Sequence, residues 1–189
     1  IKLTVTLFLT CMVVAGVLGW VNSITKDKIA AITWEKTVTA MKEVISADDF
    51  SDAMDLTDDM TAAATAQGGT LAAVYQAQSG GQPIGYAINV ESSGSQGTIS
   101  MMVGIDMDGA VTGVSIVTNS ETSGIGSKVM GNEPLTNGTG VLDQFIGKSA
   151  ADGTLSVGSN VDAITGATVS TKGVTTGVNA ALAAAGVIG

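Results

Sequence analysis

The sequence contains no arginine and no histidine; all eight of its cations are lysines. Without histidine there is no Ser-His-Asp machinery and no imidazole metal site. Without arginine there is no bidentate clamp for a phosphate. Eight lysines against seventeen Asp and Glu leave a net charge of -9. That is the wrong sign for neutralising a nucleic-acid backbone, so nucleic acid is not an expected partner. The single cysteine, Cys11, excludes an internal disulfide and a thiolate metal cluster. Aromatic residues make up only 4% of the chain although 45% is hydrophobic. The apolar weight therefore rests on Ala, Val, Ile, Leu and Met. A length of 189 residues fits one compact domain with an appendage.

Much of the apolar excess lies at the start. Leu3 to Val21 carries no charge, and these nineteen residues, at about 1.5 Å per residue, span about 28 Å as a helix, close to a hydrocarbon core of roughly 30 Å. Thr4, Thr6 and Thr10 are tolerated because a hydroxyl can bond back to its own helix. Trp20 near one end suits the bilayer interface. A secretory signal would have a shorter apolar run and a small-x-small cleavage site, which is not found after Trp20. The expectation is a single transmembrane helix over residues 1–22, with Cys11 as a small apolar filler and the lipid bilayer as partner. Lys2 precedes the span and Lys26 and Lys28 follow it, so charge leaves the orientation open. The chain opens on Ile1 rather than Met, so a few preceding residues are expected.

Residues 23–70 form a juxtamembrane segment. Ile24, Ile29, Ile32, Val38, Met41 and Ile45 recur at helical intervals over 22–47, with a bend expected near Thr33. Six aspartates then crowd residues 48–60, which read as a solvated acidic loop or helix face without metal-loop spacing. From Leu71 the period drops to two. Residues 71–78, 83–92, 97–106 and 110–119 predict four strands, with Gly80-Gly81 and Asp108-Gly109 at turns. Asp106 and Asp108 resemble the opening of a calcium loop, but the later ligands are missing and a structural turn is expected. Tyr75, Tyr86 and Phe145 read as core residues. Residues 119–140, rich in Gly, Ser, Asn and Thr, predict a long loop. Asn137-Gly138-Thr139 is formally a glycosylation sequon, with nothing else in its favour. Val174, Val178, Leu182 and Ala185 mark a final helix from about Thr171 to Val187, with Ser170 and Thr171 as N-cap candidates. The fold expected is α+β: the span, then a mixed domain with an antiparallel sheet over 71–189.

One segment offers chemistry. In Asp162-Ala163-Ile164-Thr165-Gly166-Ala167-Thr168-Val169-Ser170-Thr171 a Gly-Ala pair and a crowd of hydroxyls lie where the last helix begins. A helix N-terminus supplies free N-H donors and a positive dipole end, which favours a phosphate. The Gly-Lys-Ser/Thr ending of a P-loop is absent. On the residues alone, phosphate binding and simple helix capping both remain open.

Asp162 to Thr168 resembles the flavinylation motif of the FMN-binding domain family: Asp, two variable residues, Ser/Thr-Gly-Ala, and a final Thr or Ser. Gly85-Tyr86, Ile99 to Asp108, Gly113-Val114, Ser120 to Lys128 and Phe145 to Lys148 follow the same family's order and spacing. The family's usual His-x-Glu-Thr-Pro-Gly-Leu-Gly stretch is met here by Glu121-Thr122-Ser123-Gly124-Ile125-Gly126, with Ser123 for Pro and Thr118 or Asn119 near the His position. With the span, the likeness covers nearly the whole chain. The N-terminal stretch and the length are similar to G subunits of Rnf-type ion-translocating ferredoxin:NAD+ oxidoreductases. C subunits of Na+-translocating NADH:quinone oxidoreductases share the motifs but are usually longer.

The resemblance implies FMN joined through its phosphate to the Thr168 hydroxyl by a separate flavin transferase that uses FAD and a metal ion. It implies that Asp162 helps present the motif, with Thr165, Gly166 and Ala167 beside it. It implies a flavin-side loop in which Gly124 and Gly126 permit close approach, Ile125 offers an apolar face, and Glu121 and Thr122 line the site. It implies further a single-pass subunit of the cytoplasmic membrane, its domain on the extracytoplasmic side, passing electrons to and from other subunits of a redox complex without catalytic acid, base or metal of its own. The competing readings are a C-type subunit, a stand-alone extracytoplasmic flavoprotein, or a non-redox anchored binding or assembly domain in which the Gly-Ala-Thr stretch only caps a helix.

Overall fold

The computed structural model describes residues 2–188. It divides into two units, one ending at Thr37 and the other beginning at Val38. The first is helical. Helix α1 (Lys2–Val44) continues without interruption through Thr33, so the span and the juxtamembrane helix are one element. Residues 2–24 are exposed throughout. The stretch Lys2–Lys26, 25 residues, is long and apolar enough to cross a membrane. Within it, the Thr6 and Thr10 hydroxyls donate to the backbone carbonyls of Lys2 and Thr6, which keeps them satisfied away from water.

The second unit is a five-stranded antiparallel meander in which each strand pairs with its neighbour in sequence, β1-β2-β3-β4-β5. The strands are β1 (Asp49–Phe50), β2 (Thr70–Ser79), β3 (Gln82–Ser93), β4 (Thr98–Asp106) and β5 (Val111–Asn119). The four strands expected from the period-two pattern are thus present. The β2–β3 turn is Gly80-Gly81, with φ of 57° and 77°, as a two-residue hairpin turn with both central residues left-handed requires. The β4–β5 turn is held by Asp106, whose carboxylate accepts from the Asp108 and Ala110 amides at 3.0 and 2.9 Å, a structural use of that aspartate.

Both faces of the sheet are covered, which is why β4 is buried from Ile99 through Ile105. On one face Ile99, Met101, Val103 and Ile105 pack against Met60 and Ala64 of α2 (Asp58–Ala66) and Val174, Val178, Ala181 and Leu182 of the C-terminal helix (Thr168–Ala185). Phe145, fully buried, joins this core, and Tyr86 packs against it half-buried. On the other face Met102, Ala87 and Tyr75 meet Ala40, Met41, Val44 and Ile45, the last turns of α1 and the residue after it. Thr112, an extra residue at a bulge in β5, donates its hydroxyl to the Val44 carbonyl at 2.6 Å. Each fully buried aliphatic chain contributes about 2 kcal/mol by its removal from water.

Three expectations need correction. The acidic stretch, expected as a solvated loop or helix face, also holds a strand. It contains β1 and the start of α2, where Thr57 caps the helix by accepting from the Met60 amide and Asp58 and Asp59 sit in the first turn, favoured by the helix dipole. The loop over 119–140 holds a short helix, α3 (Gly126–Met130), and a Pro134–Gly140 bridge. The last helix, α4 (Thr168–Ala185), starts three residues earlier than expected, and neither Ser170 nor Thr171 caps it: the N-cap position is Ala167. Ser170 is drawn away by a distant carboxylate, and the Thr171 hydroxyl bonds back to the Ala167 carbonyl at 3.1 Å.

Candidate functional site

The approach to α4 is a tight turn. The Ala167 amide donates to the Ile164 carbonyl at 2.9 Å, and Gly166 has φ of 85°. A left-handed third residue is the signature of a type II turn and demands glycine. The start of the motif is held from a different segment. The Gln144 side-chain amide donates to the Asp162 carbonyl at 2.9 Å and accepts from the Asp162 amide at 2.8 Å. Its backbone so tied, Asp162 leaves its side chain exposed.

Thr168 is the first residue of α4 and is exposed. The first intrahelical amide bond is Thr171 to Ala167, so the amides of Thr168, Val169 and Ser170 have no partner within the helix. Ala167 has no side-chain oxygen to offer them, and no side-chain cap is present. An uncapped start to an 18-residue helix leaves N-H donors and the positive dipole end directed at the neighbourhood of the Thr168 hydroxyl.

Beside this start lies an open pocket of about 180 Å³. Glu121, Thr122, Ile125 and Gly126 line it from one side and Gly166, Ala167, Val169 and Ser170 from the other. The two motif segments, some forty residues apart in sequence, thus share one cavity. Gly124 (φ 86°), Asp162, Thr165 and Thr168 lie outside the lining, Thr168 being flanked in the chain by two lining residues. Ile125 is 52% and Val169 56% exposed, an apolar pair at the pocket with no protein core to explain it.

Two lining residues, Ser95 and Gln96, escaped the sequence reading, and two more, Val169 and Ser170, entered it only as part of the segment at the helix start, Ser170 as a cap. Ser95 and Gln96 sit in the β3–β4 connection, where the Gly94 amide donates to the Gly97 carbonyl at 2.7 Å. The paired glycines mark a turn in the sequence, but nothing local says that it faces α4. Glu121 is placed otherwise than as a freely offered ligand: its carboxylate accepts from the amides of Ser95 and Gln96 at 2.7 and 3.3 Å and from the Ser170 hydroxyl.

A reachable hydroxyl, first-turn amides without a partner in the helix, and a small adjoining pocket with aliphatic walls are features that suit a flavin nucleotide and its phosphate. Comparison with known proteins decides the family. Residues 94–183 match the FMN-binding domain family. The chain is 34% identical over 189 residues to the G subunit of the Na+-translocating ferredoxin:NAD+ oxidoreductase complex of Acetobacterium woodii, covering 94% of this chain and 87% of the relative. It is 29% identical over 186 residues to the G subunit of the ion-translocating oxidoreductase complex of Methanosarcina acetivorans, covering 96% and 92%.

The chain belongs to the family of FMN-binding G subunits of Rnf-type complexes.

A further G subunit of this family, from Aliivibrio fischeri, is 29% identical over 168 residues and is matched over 78% of its length. The FMN-binding match begins at the β3–β4 connection and takes in α3, the Gln144 segment and most of α4. Every residue around the pocket described above therefore lies within the family's domain, while β1, β2, α2 and all of β3 lie before it.

Proposed function

We propose that this chain is a membrane-anchored electron-transfer subunit of an ion-translocating ferredoxin:NAD+ oxidoreductase, carrying FMN as a phosphoester on Thr168. One observation carries the reading: the exposed Thr168 hydroxyl stands at an uncapped helix N-terminus, beside a pocket that unites the two family motifs. The first-turn amides of α4 offer the phosphate diester its donors. Ile125 and Val169 give the ring aliphatic walls, in a chain too poor in aromatics to stack it. Thr122, Gly126, Gly166 and Ala167 complete the site. Gly124 and Thr165 shape the two turns beside it, and the exposed Asp162 carboxylate meets the flavin transferase.

Bound FMN supplies reversible one- and two-electron transfer. An ester through the phosphate leaves the ring's own chemistry unaltered, so the protein has only to hold and shield it. No side chain needs to move a proton, in keeping with a chain without histidine. The subunit is not a self-sufficient enzyme; its partners are neighbouring subunits of the complex. Lys2–Lys26 anchors it in the cytoplasmic membrane as a single pass, and the domain faces the extracytoplasmic side, where a covalent tether prevents loss of the cofactor.

The test is the full chain co-produced with a flavin transferase and run on a denaturing gel. Flavin fluorescence stays with the band, and peptide mass spectrometry places one FMN on Thr168. Thr168→Val removes the fluorescence completely while the melting temperature of the domain holds, because the hydroxyl is exposed and makes no structural bond. Covalent flavin persisting in that variant would refute the assignment.

A further inference from the structure

Resting on the reading of Thr168 as the attachment point, we propose that Glu121 is a positioning residue for the flavin ring rather than a flavin ligand. Its carboxylate is a bolt that closes the pocket from separate segments. Oε1 accepts two amides of the β3–β4 connection, Ser95 and Gln96. Oε2 accepts the hydroxyl of Ser170 in the first turn of α4. The Glu121 amide itself donates to the Asn119 side chain at 3.1 Å, fixing the exit from β5. Ser170 is only 2% exposed, so within the intact fold the carboxylate is the partner that satisfies its hydroxyl.

Two glycines show how closely the chain is fitted around this group. A Cβ on Gly94 would collide with Oε1, and one on Gly126 would collide with Oε2. Any side chain at either position would displace the carboxylate, so glycine is required from two separate segments at once. These donors, 25, 26 and 49 residues away in sequence, have no local reason to meet. Their common acceptor brings the wall carrying Ile125 and Gly126 against the wall carrying Ala167 and Val169. Attachment needs only the Thr168 hydroxyl, whereas a fixed ring needs both walls. Loss of Glu121 should therefore separate the two.

The experiment uses the full chain in detergent, co-produced with a flavin transferase, as wild type, Glu121→Ala, Glu121→Gln and Ser170→Ala. Denaturing-gel fluorescence reads attachment. Visible circular dichroism of the bound flavin reads whether the ring is held in one asymmetric setting, and the flavin midpoint potential reads its surroundings. Glu121→Ala keeps the gel fluorescence, loses most of the visible dichroism and shifts the potential toward that of the denatured, still-flavinylated chain. Glu121→Gln restores the signal, because its amide oxygen can accept from Ser95 and Gln96 while its NH2 donates to the Ser170 hydroxyl. Ser170→Ala, which spares the Ser95 and Gln96 bonds, gives a partial loss and serves if Glu121→Ala does not fold. Unchanged dichroism and potential in both Glu121→Ala and Ser170→Ala overturn the proposal. So does a Glu121→Gln variant as impaired as Glu121→Ala, since that would make the negative charge itself the flavin contact. Absence of gel fluorescence from wild type would instead overturn the attachment reading, and the positioning role with it.

Discussion

The two long helices are built from similar material and put to opposite uses. In α4 eleven of eighteen residues are buried. The apolar stretch of α1 buries nothing within the protein over residues 2–24. The difference lies in side-chain size. α4 lays Gly173, Gly177, Ala180, Ala181 and Ala184 against the sheet, which lets the backbone come close, with Val174, Val178 and Leu182 filling the remainder. α1 displays Leu3, Leu7, Phe8, Leu9, Val13 and Leu18 around its circumference, a surface that suits lipid tails and offers no flat side to a sheet. Apolarity says that a helix is covered; the sizes and their arrangement say by what.

That contrast can be attacked from either side. Placing charges on α1 should have the largest effect. The double variant Val14→Lys, Leu18→Lys costs roughly 6 kcal/mol of insertion at the bilayer centre, and the chain should move from the membrane pellet to the alkaline carbonate wash. A domain still folded in that wash would show that the apolar stretch of α1 over residues 2–24 serves only the bilayer. Gly173→Leu acts on the other helix. A Cβ there meets the Ser93 carbonyl at 2.7 Å, a backbone atom that cannot swing away. The overpacking should cost about 3 kcal/mol, read as a lower denaturation midpoint; an unchanged midpoint would mean that α4 is not seated as described.

Leucine-to-alanine changes sharpen the comparison. Leu182→Ala, at 6% exposure, should lose about 2 kcal/mol, whereas Leu9→Ala, at 54% exposure, should leave the domain's midpoint where it was. The smallest effect concerns Tyr75 under α1's last turns. Burial raises its phenol above the ordinary 10.0, so folding favours the neutral form. The stability this contributes is complete below that ordinary value and is lost as pH climbs through the raised one. Thermal melts in alkaline buffers should show a small fall that Tyr75→Phe removes.

How much was legible follows the same physics. The period of two in residues 71–119 reports a local constraint, alternation across a pleat, and it placed four strands within a residue or two. Gly80-Gly81 and Asp108-Gly109 spoke for their turns because turn chemistry is local too. α2 was legible only as one of two readings, a helix face rather than a loop, because with Met60 and Ala64 as its only buried residues it shows too short an apolar stripe to decide. The start of α4 was misplaced for a subtler reason. Ser170 has the composition of a cap, but its hydroxyl is claimed by Glu121 from 49 residues away. Pairings at that distance leave no trace in spacing. The motif Asp162 to Thr168 located half of the pocket and the Glu121 stretch the other half. That Ser95 and Gln96 complete it needed the folded sheet.

Every ladder of the meander joins strands adjacent along the chain, so β2 to β5 close on one another over short turns, whereas β1 reaches β2 across the whole of α2. α4 finds β3 and β4 from far downstream, as the end of α1 finds β5 from far upstream. The threonine at the head of α4 therefore owes its surroundings to segments far from it in sequence, not to its chain neighbours alone.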